Sequence, residues 1–178
     1  MSAAGDGVGV GDLPARALAG RRVAIANRGE IAARVAATCR RLGAVPILLL
    51  GEPDLAGFAA RQVGQVERVG DAGAEFDVAL VIDAARRAGA ALLHPGYGFL
   101  SERPELAAAC EAAGIGFVGP TPETLALCGD KLATREAAAT AGVPMLPASA
   151  PLGEDPAGWD RAAERVGYPL LVKPAVAG

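Results

Sequence analysis

Aromatic residues make up only 4% of this 178-residue chain, against 52% hydrophobic residues overall. Any core must therefore be built mainly from Ala, Val, Leu and Ile. Cysteine is scarce too: Cys39, Cys110 and Cys128 are an odd number with no C-x-x-C spacing, which fits neither a disulfide framework nor a zinc site. Cys39 and Cys110 fall at apolar helical positions, where cysteine acts as a small buried hydrophobe. No run of about 18 apolar residues occurs, so no membrane-spanning helix is expected. There is no basic stripe either. The 17 basic and 20 acidic residues are mixed along the chain, with a net charge of −3, which argues against nucleic acid as a partner. Residues 1–20 lack the basic-then-apolar order of a secretory signal; they read as a disordered leader, and a cytoplasmic location is expected. The strand-to-helix junction Asn27-Arg28-Gly29-Glu30 is not a G-x-G-x-x-G fingerprint, and G-x-x-x-x-G-K-S/T occurs nowhere, so dinucleotide and P-loop readings have little support. No nucleophile-elbow serine and no metal-ligand spacing is found.

What the chain does have is an alternation of strand-like and helix-like segments from Arg21 onward. Val23-Ala24-Ile25-Ala26 reads as a short buried strand, followed after Asn27-Arg28-Gly29 by a helix with Ile31, Val35, Cys39 and Leu42 along one face. Residues 45–50 read as a second strand, with Pro46 confined to its start or to an edge. Residues 51–76 are glycine-rich and weakly patterned, with a short helix over 56–63. Asp77 caps a helix carrying Val78, Val81, Ile82 and Ala85. A strand over 90–93, an alanine-rich helix over 103–113 and a strand over 115–118 follow. Thr121-Pro122 and Asp130 each start a helix, the latter running through Ala141. A further helix carries Trp159, Ala162, Ala163 and Val166, and residues 169–173 read as an apolar strand ending in Lys173. Repeated β-α-β units imply a parallel sheet with helices on both faces, and a shift towards Pro and small residues near 129–151 marks a domain boundary.

The chemistry-bearing candidates are few. His94-Pro95-Gly96-Tyr97-Gly98-Phe99-Leu100-Ser101-Glu102 follows a strand and contains the only histidine. In open α/β sheets, ligands bind at the carboxyl ends of strands. The alternative is a glycine-bracketed turn that tucks Tyr97 and Phe99 into a core. His94 reads as a hydrogen-bonded structural histidine before a general base. Asn27-Arg28-Gly29-Glu30 stands where backbone N–H groups can hold an anion. The competing reading gives Glu30 to the helix dipole and Arg28 to a structural salt bridge. The chain has 15 arginines but only two lysines, Lys131 and Lys173. A lysine ammonium is a compact point charge suited to a phosphate oxygen, and each lysine stands at the edge of a predicted element.

Taken together, Ala26-Asn27-Arg28-Gly29-Glu30-Ile31-Ala32, the run from His94 to Glu102, Phe117-Val118-Gly119-Pro120, Gly129-Asp130-Lys131, Ala141-Gly142-Val143-Pro144 and Gly167-Tyr168-Pro169 with Lys173 resemble the N-terminal part of biotin carboxylase. That enzyme is the component of acetyl-CoA, propionyl-CoA and pyruvate carboxylases that loads biotin. The resemblance covers residues 21–178. It implies a Rossmann-like, parallel-sheet pre-ATP-grasp domain over 21–129, followed by the beginning of an ATP-grasp domain over 130–178. It also implies a ligase reaction in which ATP activates bicarbonate and biotin, on a carrier domain, is carboxylated. Lys131 and Lys173 match lysines on the ATP phosphates, and Tyr97 and Gly98 match the loop on the biotin side of the cleft. The family's Mg2+ ligands and bicarbonate-binding arginine match nothing in these residues, so the chain alone is expected to be inactive. The implied partners are the biotin carboxyl carrier domain, a carboxyltransferase and a second copy. In bacterial relatives the first helix contributes to a homodimer; its expected outer face here is Ala36, Ala37, Arg40 and Arg41. Another ATP-grasp carboxylate ligase, or a non-catalytic nucleotide-binding or interaction module, are the alternatives. Lys173-Pro174-Ala175-Val176-Ala177-Gly178 and Gly51-Glu52-Pro53-Asp54 depart from the family's usual wording.

Overall fold

The computed structural model describes residues 18–174. The leader expected over 1–20 lies outside the described residues up to position 17. Residues 18–20 form a turn held by Gly20 N–H donating to the Gly43 carbonyl at 2.9 Å. The structure divides into two compact units, one reaching to Pro122 and one starting at Glu123.

The first unit is organised around five strands: β1 (Arg22–Ile25), β2 (Val45–Gly51), β3 (Val66–Gly70), β4 (Leu92–His94) and β5 (Gly116–Phe117). Their order in the sheet is β3-β2-β1-β4-β5, and every neighbouring pair is parallel. Four helices connect them: α1 (Gly29–Arg41), α2 (Phe58–Val63), α3 (Val78–Arg87) and α4 (Pro104–Ala112). Side chains alternate across a pleated strand, and this alternation sorts the core into two layers. Ala24, Ile47, Leu49 and Leu93 pack with α3 and α4 residues such as Val81, Ile82, Leu106 and Cys110. Ile25, Leu48 and Leu50 pack with Ala32 and Ala36 of α1 and with Ala59, Ala60 and Val63 of α2. Both faces of the central strands are buried, which is why they read as unbroken apolar runs.

Several expectations change at this point. Ala36, placed on the outer face of the first helix by sequence, is fully buried against the sheet. The small side chains Ala32 and Ala36 let α1 approach the strands closely, while Ile31 and Val35 are only partly covered. The weakly patterned stretch over 51–76 contains a strand, β3. It was missed because Val66-Glu67-Arg68-Val69-Gly70 is an edge strand whose charged residues interrupt the apolar signal. Its Glu67 pairs with Arg87 at 2.8 Å, and its Arg68 pairs with Glu52 at 2.7 Å and Asp71 at 2.8 Å. Asp77 caps α3 as expected, accepting from the N–H groups of Ala79 and Leu80. Pro46 lies near the start of β2, opposite Val23.

The second unit contains α5 (Pro122–Gly129, whose first residue closes the first unit), α6 (Lys131–Thr140) and α7 (Pro156–Val166). Asp130 caps α6 through Leu132 and Ala133 N–H, and Asp155 caps α7 through Ala157 N–H. The strand expected over 169–173 is absent: residues 169–174 have no regular secondary structure, and Leu171 and Val172 are 77% and 73% exposed. A strand exists only by pairing its backbone groups, and the described residues of this unit include no strand to pair with it.

Candidate functional site

The chain leaves β1 for β2 and β3 on one side, then returns to place β4 and β5 on the other, so the topology switches between β1 and β4. Ligands bind outside the carboxyl ends of strands at such a point. Here the two sequence words singled out above meet. Ala26 N–H donates to the His94 carbonyl at 3.0 Å, carrying the β1–β4 ladder one step past β1. The Asn27 side chain then bridges the gap. Its Nδ2 donates to the carbonyls of Pro95 at 2.8 Å and Tyr97 at 3.1 Å, while its Oδ1 accepts from Arg28 N–H at 2.9 Å.

The loop after β4 is shaped from within as well. His94 Nδ1 accepts from Gly96 N–H at 2.9 Å, the structural role expected of it. Burial pushes the imidazole below its ordinary pKa, favouring the neutral form that can accept. Gly96 has φ +71°, and a Cβ there would lie 2.8 Å from Asn27 Cγ and 2.9 Å from Ile31 Cγ2. Ser101 Oγ donates to the Gly98 carbonyl at 2.7 Å, closing the loop into a 3-10 turn. Tyr97 is not in the core: it is 58% exposed, and its hydroxyl donates to Glu30 Oε1 at 2.7 Å. That hydrogen bond, then partial desolvation and the Glu30 charge, raise the phenol's pKa against the lowering effect of Arg34. The alternative burial of Phe99 concerns a side chain outside those described.

Beside this loop lies a cavity of about 290 Å³, floored by Ala26, Leu49, Leu50 and Leu100 and rimmed by Arg28, Asp54, Glu75, Tyr97 and Gly98. Arg28 Nη1 lies 3.2 Å from Asp54 Oδ2 and 3.9 Å from Glu75 Oε1. Arg28 therefore takes the salt-bridge role weighed for it, and Glu30 at the start of α1 takes the tyrosine hydroxyl in addition to its place at the helix dipole. Glu75 Oε2 also accepts from Gly73 N–H at 3.0 Å, and its carboxylate occupies the space a Cβ on Gly51 would need. Sequence reasoning passed over Asp54 and Glu75 because both lie in the unpatterned stretch. A second hollow of about 300 Å³ lies along α1, lined by Arg34, Thr38, His94 and again Tyr97. Tyr97 thus borders both.

The remaining expected site residues belong to the second unit. Lys131 is the first residue of α6, directly after the Asp130 cap, and Lys173 lies exposed in the irregular stretch after α7. Among the described residues no group of three or more His, Cys, Asp or Glu side chains could hold a metal ion, and no helix is long and apolar enough to cross a membrane.

Five parallel strands in the order 3-2-1-4-5, covered on both faces and carrying a loop-built cavity at the carboxyl edge, define a doubly wound α/β protein of the Rossmann type. Residues 19–125 match the family described as biotin carboxylase, N-terminal domain. The chain belongs to that family. It is 38% identical over 160 residues to the alpha subunit of mitochondrial methylcrotonoyl-CoA carboxylase from Oryza sativa subsp. japonica, covering 88% of this chain and 22% of that protein. It is 37% identical over 161 residues to the biotin carboxylase of Halalkalibacterium halodurans, covering 89% and 36%. Among solved structures, the biotin carboxylase domain dimer of Hydrogenobacter thermophilus 2-oxoglutarate carboxylase, in complex with ADP, MgADP and bicarbonate, superposes with a TM-score of 0.78 at 34% identity. That match covers 89% of this chain and 35% of the other. Rhizobium etli pyruvate carboxylase superposes with a TM-score of 0.80 at 34% identity, covering 88% and 16%. The chain therefore spans well under half the length of these relatives.

Proposed function

We propose that this chain supplies the acceptor-facing wall and part of the nucleotide site of a biotin carboxylase. The reaction would carboxylate biotin on a carrier domain, using ATP and bicarbonate, for transfer to an acyl-CoA or a keto acid. One observation carries the reading. The Asn27–Glu30 and His94–Ser101 segments are bonded together at the topological switch point, with Tyr97 and Gly98 on the rim of a cavity there.

In this reading residues 21–129 form the pre-ATP-grasp domain and residues 130–178 begin the ATP-grasp domain. Tyr97 and Gly98 face biotin. Lys131 and Lys173 bind the phosphates of ATP: each is a single cation, and Lys131 is placed by a capped helix start. ATP supplies the phosphoryl group that activates bicarbonate, and phosphoryl transfer is catalysed chiefly by positioning and charge stabilisation, to which two ammonium groups contribute positive charge. Mg2+ is held by residues outside this chain. The carrier domain, a carboxyltransferase and a second copy are the partners. All three cysteines are free, two of them buried, which supports a reducing, cytoplasmic compartment.

The test is a chimera in which this chain replaces the matching segment of the Pseudomonas aeruginosa biotin carboxylase, to which it is 38% identical over 161 residues. The expected result is ATP-dependent fixation of labelled bicarbonate onto biotin. Lys131→Gln and Lys173→Gln should raise the KM for ATP at least tenfold while leaving the KM for biotin unchanged. Lysine variants with unaltered ATP dependence would overturn the nucleotide assignment.

A further inference from the structure

The side-chain contacts of the β1–α1 junction at the switch point converge on one short segment of the loop after β4. Both amide hydrogens of Asn27 go to backbone carbonyls of the loop, at 2.8 and 3.1 Å, across 68 and 70 residues of sequence. Its oxygen is held at 2.9 Å by Arg28 N–H, which fixes which way the amide points. Three residues on, Glu30 takes the Tyr97 hydroxyl at 2.7 Å. The β1–α1 junction thus grips Tyr97 at both ends, by its carbonyl through Asn27 and by its phenol through Glu30. The fit is close on the third side too, because any side chain on Gly96 would overlap the Asn27 amide and Ile31.

We infer that Asn27 and Glu30 are positioning residues that jointly set the placement of the Tyr97–Gly98 segment at the cavity mouth. The inference rests on the reading that Tyr97 and Gly98 face biotin, but the grip itself is a property of this chain alone. A hydrogen bond held in a fixed geometry contributes more to where a loop sits than to overall stability. The two residues should therefore act on the loop and leave the sheet alone. They should also be coupled: Asn27 does not touch the phenol, yet releasing the Tyr97 carbonyl should loosen the bond between the phenol and Glu30. The charged groups that bear on the phenol are Glu30 and Arg34, the first raising and the second lowering its pKa.

The experiment uses the chain with 13C-labelled tyrosine, whose two tyrosines, Tyr97 and Tyr168, give two resolvable phenol titrations by NMR. Amide exchange is followed in the same samples. In Glu30→Gln the Tyr97 midpoint should move down towards the ordinary tyrosine value while the thermal midpoint stays unchanged. In Asn27→Ala, a charge-neutral change, the Tyr97 midpoint should move in the same direction. Amide protection should be lost at Gly96 and Ser101, whose N–H groups donate to His94 Nδ1 and to the Gly98 carbonyl, but kept at Ala24 and Ile25. A Tyr97 titration that is the same in Asn27→Ala as in the parent would overturn the positioning role, as would equal loss of protection in loop and strand. If Asn27→Ala does not fold, Asn27 is a general stability residue and the inference fails for it; Glu30→Gln then decides the remaining half. Adding free biotin separates the two layers of argument. Biotin-induced shifts at Gly98 that disappear in Asn27→Ala support both. Coupling without any biotin response leaves the grip standing and removes the biotin assignment.

Discussion

Replacing Gly96 by alanine tests the packing at the switch point most directly. Gly96 adopts φ +71°, a left-handed conformation that costs an L residue roughly 1 kcal/mol. The added methyl would overlap the Asn27 Nδ2 and lie 2.8 Å from Asn27 Cγ and 2.9 Å from Ile31 Cγ2. Both neighbours are held, the amide by three hydrogen bonds and Ile31 by its position on α1, so accommodating the methyl should cost a further 1–3 kcal/mol or so, as overpacking does elsewhere. The restricted unfolded chain returns about 0.4–1 kcal/mol. The net loss should be about 1–3.5 kcal/mol, read as a lowered urea midpoint by far-UV circular dichroism. Gly114→Ala is the control: its φ is +68°, but nothing lies within 4 Å of the new Cβ, so its cost should be under about 1 kcal/mol. Asn27→Ala combined with Gly96→Ala should recover most of the packing term. Equal losses at Gly96 and Gly114, or no recovery in the double variant, would refute the argument that the Asn27 amide fills the space a side chain would need.

Three further outcomes follow from other parts of the molecule. His94 has a folded pKa below its ordinary value, so the unfolded chain takes up the proton first. Stability should be fully present above pH 6.5 and should fall as the pH drops through that value towards the folded pKa, and His94→Asn should flatten this fall in urea titrations run at pH 7, 6 and 5. Burial pushes Cys110 up to about 11 and raises Cys39 as well, whereas Cys128 is exposed. One thiol of the three should therefore react quickly with a disulfide reagent at pH 8, all three should react in urea, and Cys128→Ser should abolish the fast phase. Leu106 is fully buried and Leu146 is 83% exposed; Leu106→Ala should cost about 2–5 kcal/mol and Leu146→Ala about 0.5 kcal/mol or less, both measured by urea unfolding.

The sequence made the middle of the sheet legible and its margins obscure. β1, β2 and β4 announce themselves because strands buried on both faces must be apolar throughout. Asp77 and Asp130 announce their helices because a cap is a local, one-residue device. β3 was hidden because Glu67 and Arg68 satisfy their charges with partners that only the fold brings near. The error at residues 169–173 is the reverse case: the apolar pattern was present, but a ladder is a non-local property and no residue within the segment can supply it. At the site, the position of Tyr97 and Gly98 in a loop at the carboxyl end of a strand could be read from their glycine-bracketed setting. The role of Asn27 could not, since a single polar residue at a strand end has no periodicity and its partners lie 68 and 70 positions away. Asp54 and Glu75 were obscure for the same reason.

The two ends of the five-stranded sheet carry a consequence for assembly. An open sheet edge is a template on which another chain can add a strand, and proteins blunt it with charge or by keeping the last strand short. Here one edge is β3, whose Glu67 and Arg68 are tied into ion pairs with Arg87, Glu52 and Asp71. The other is β5, only two residues long. Neither edge offers an incoming strand a long uncharged ladder. Strand addition at either edge is therefore disfavoured, which directs contacts of this unit towards its helix faces and loops.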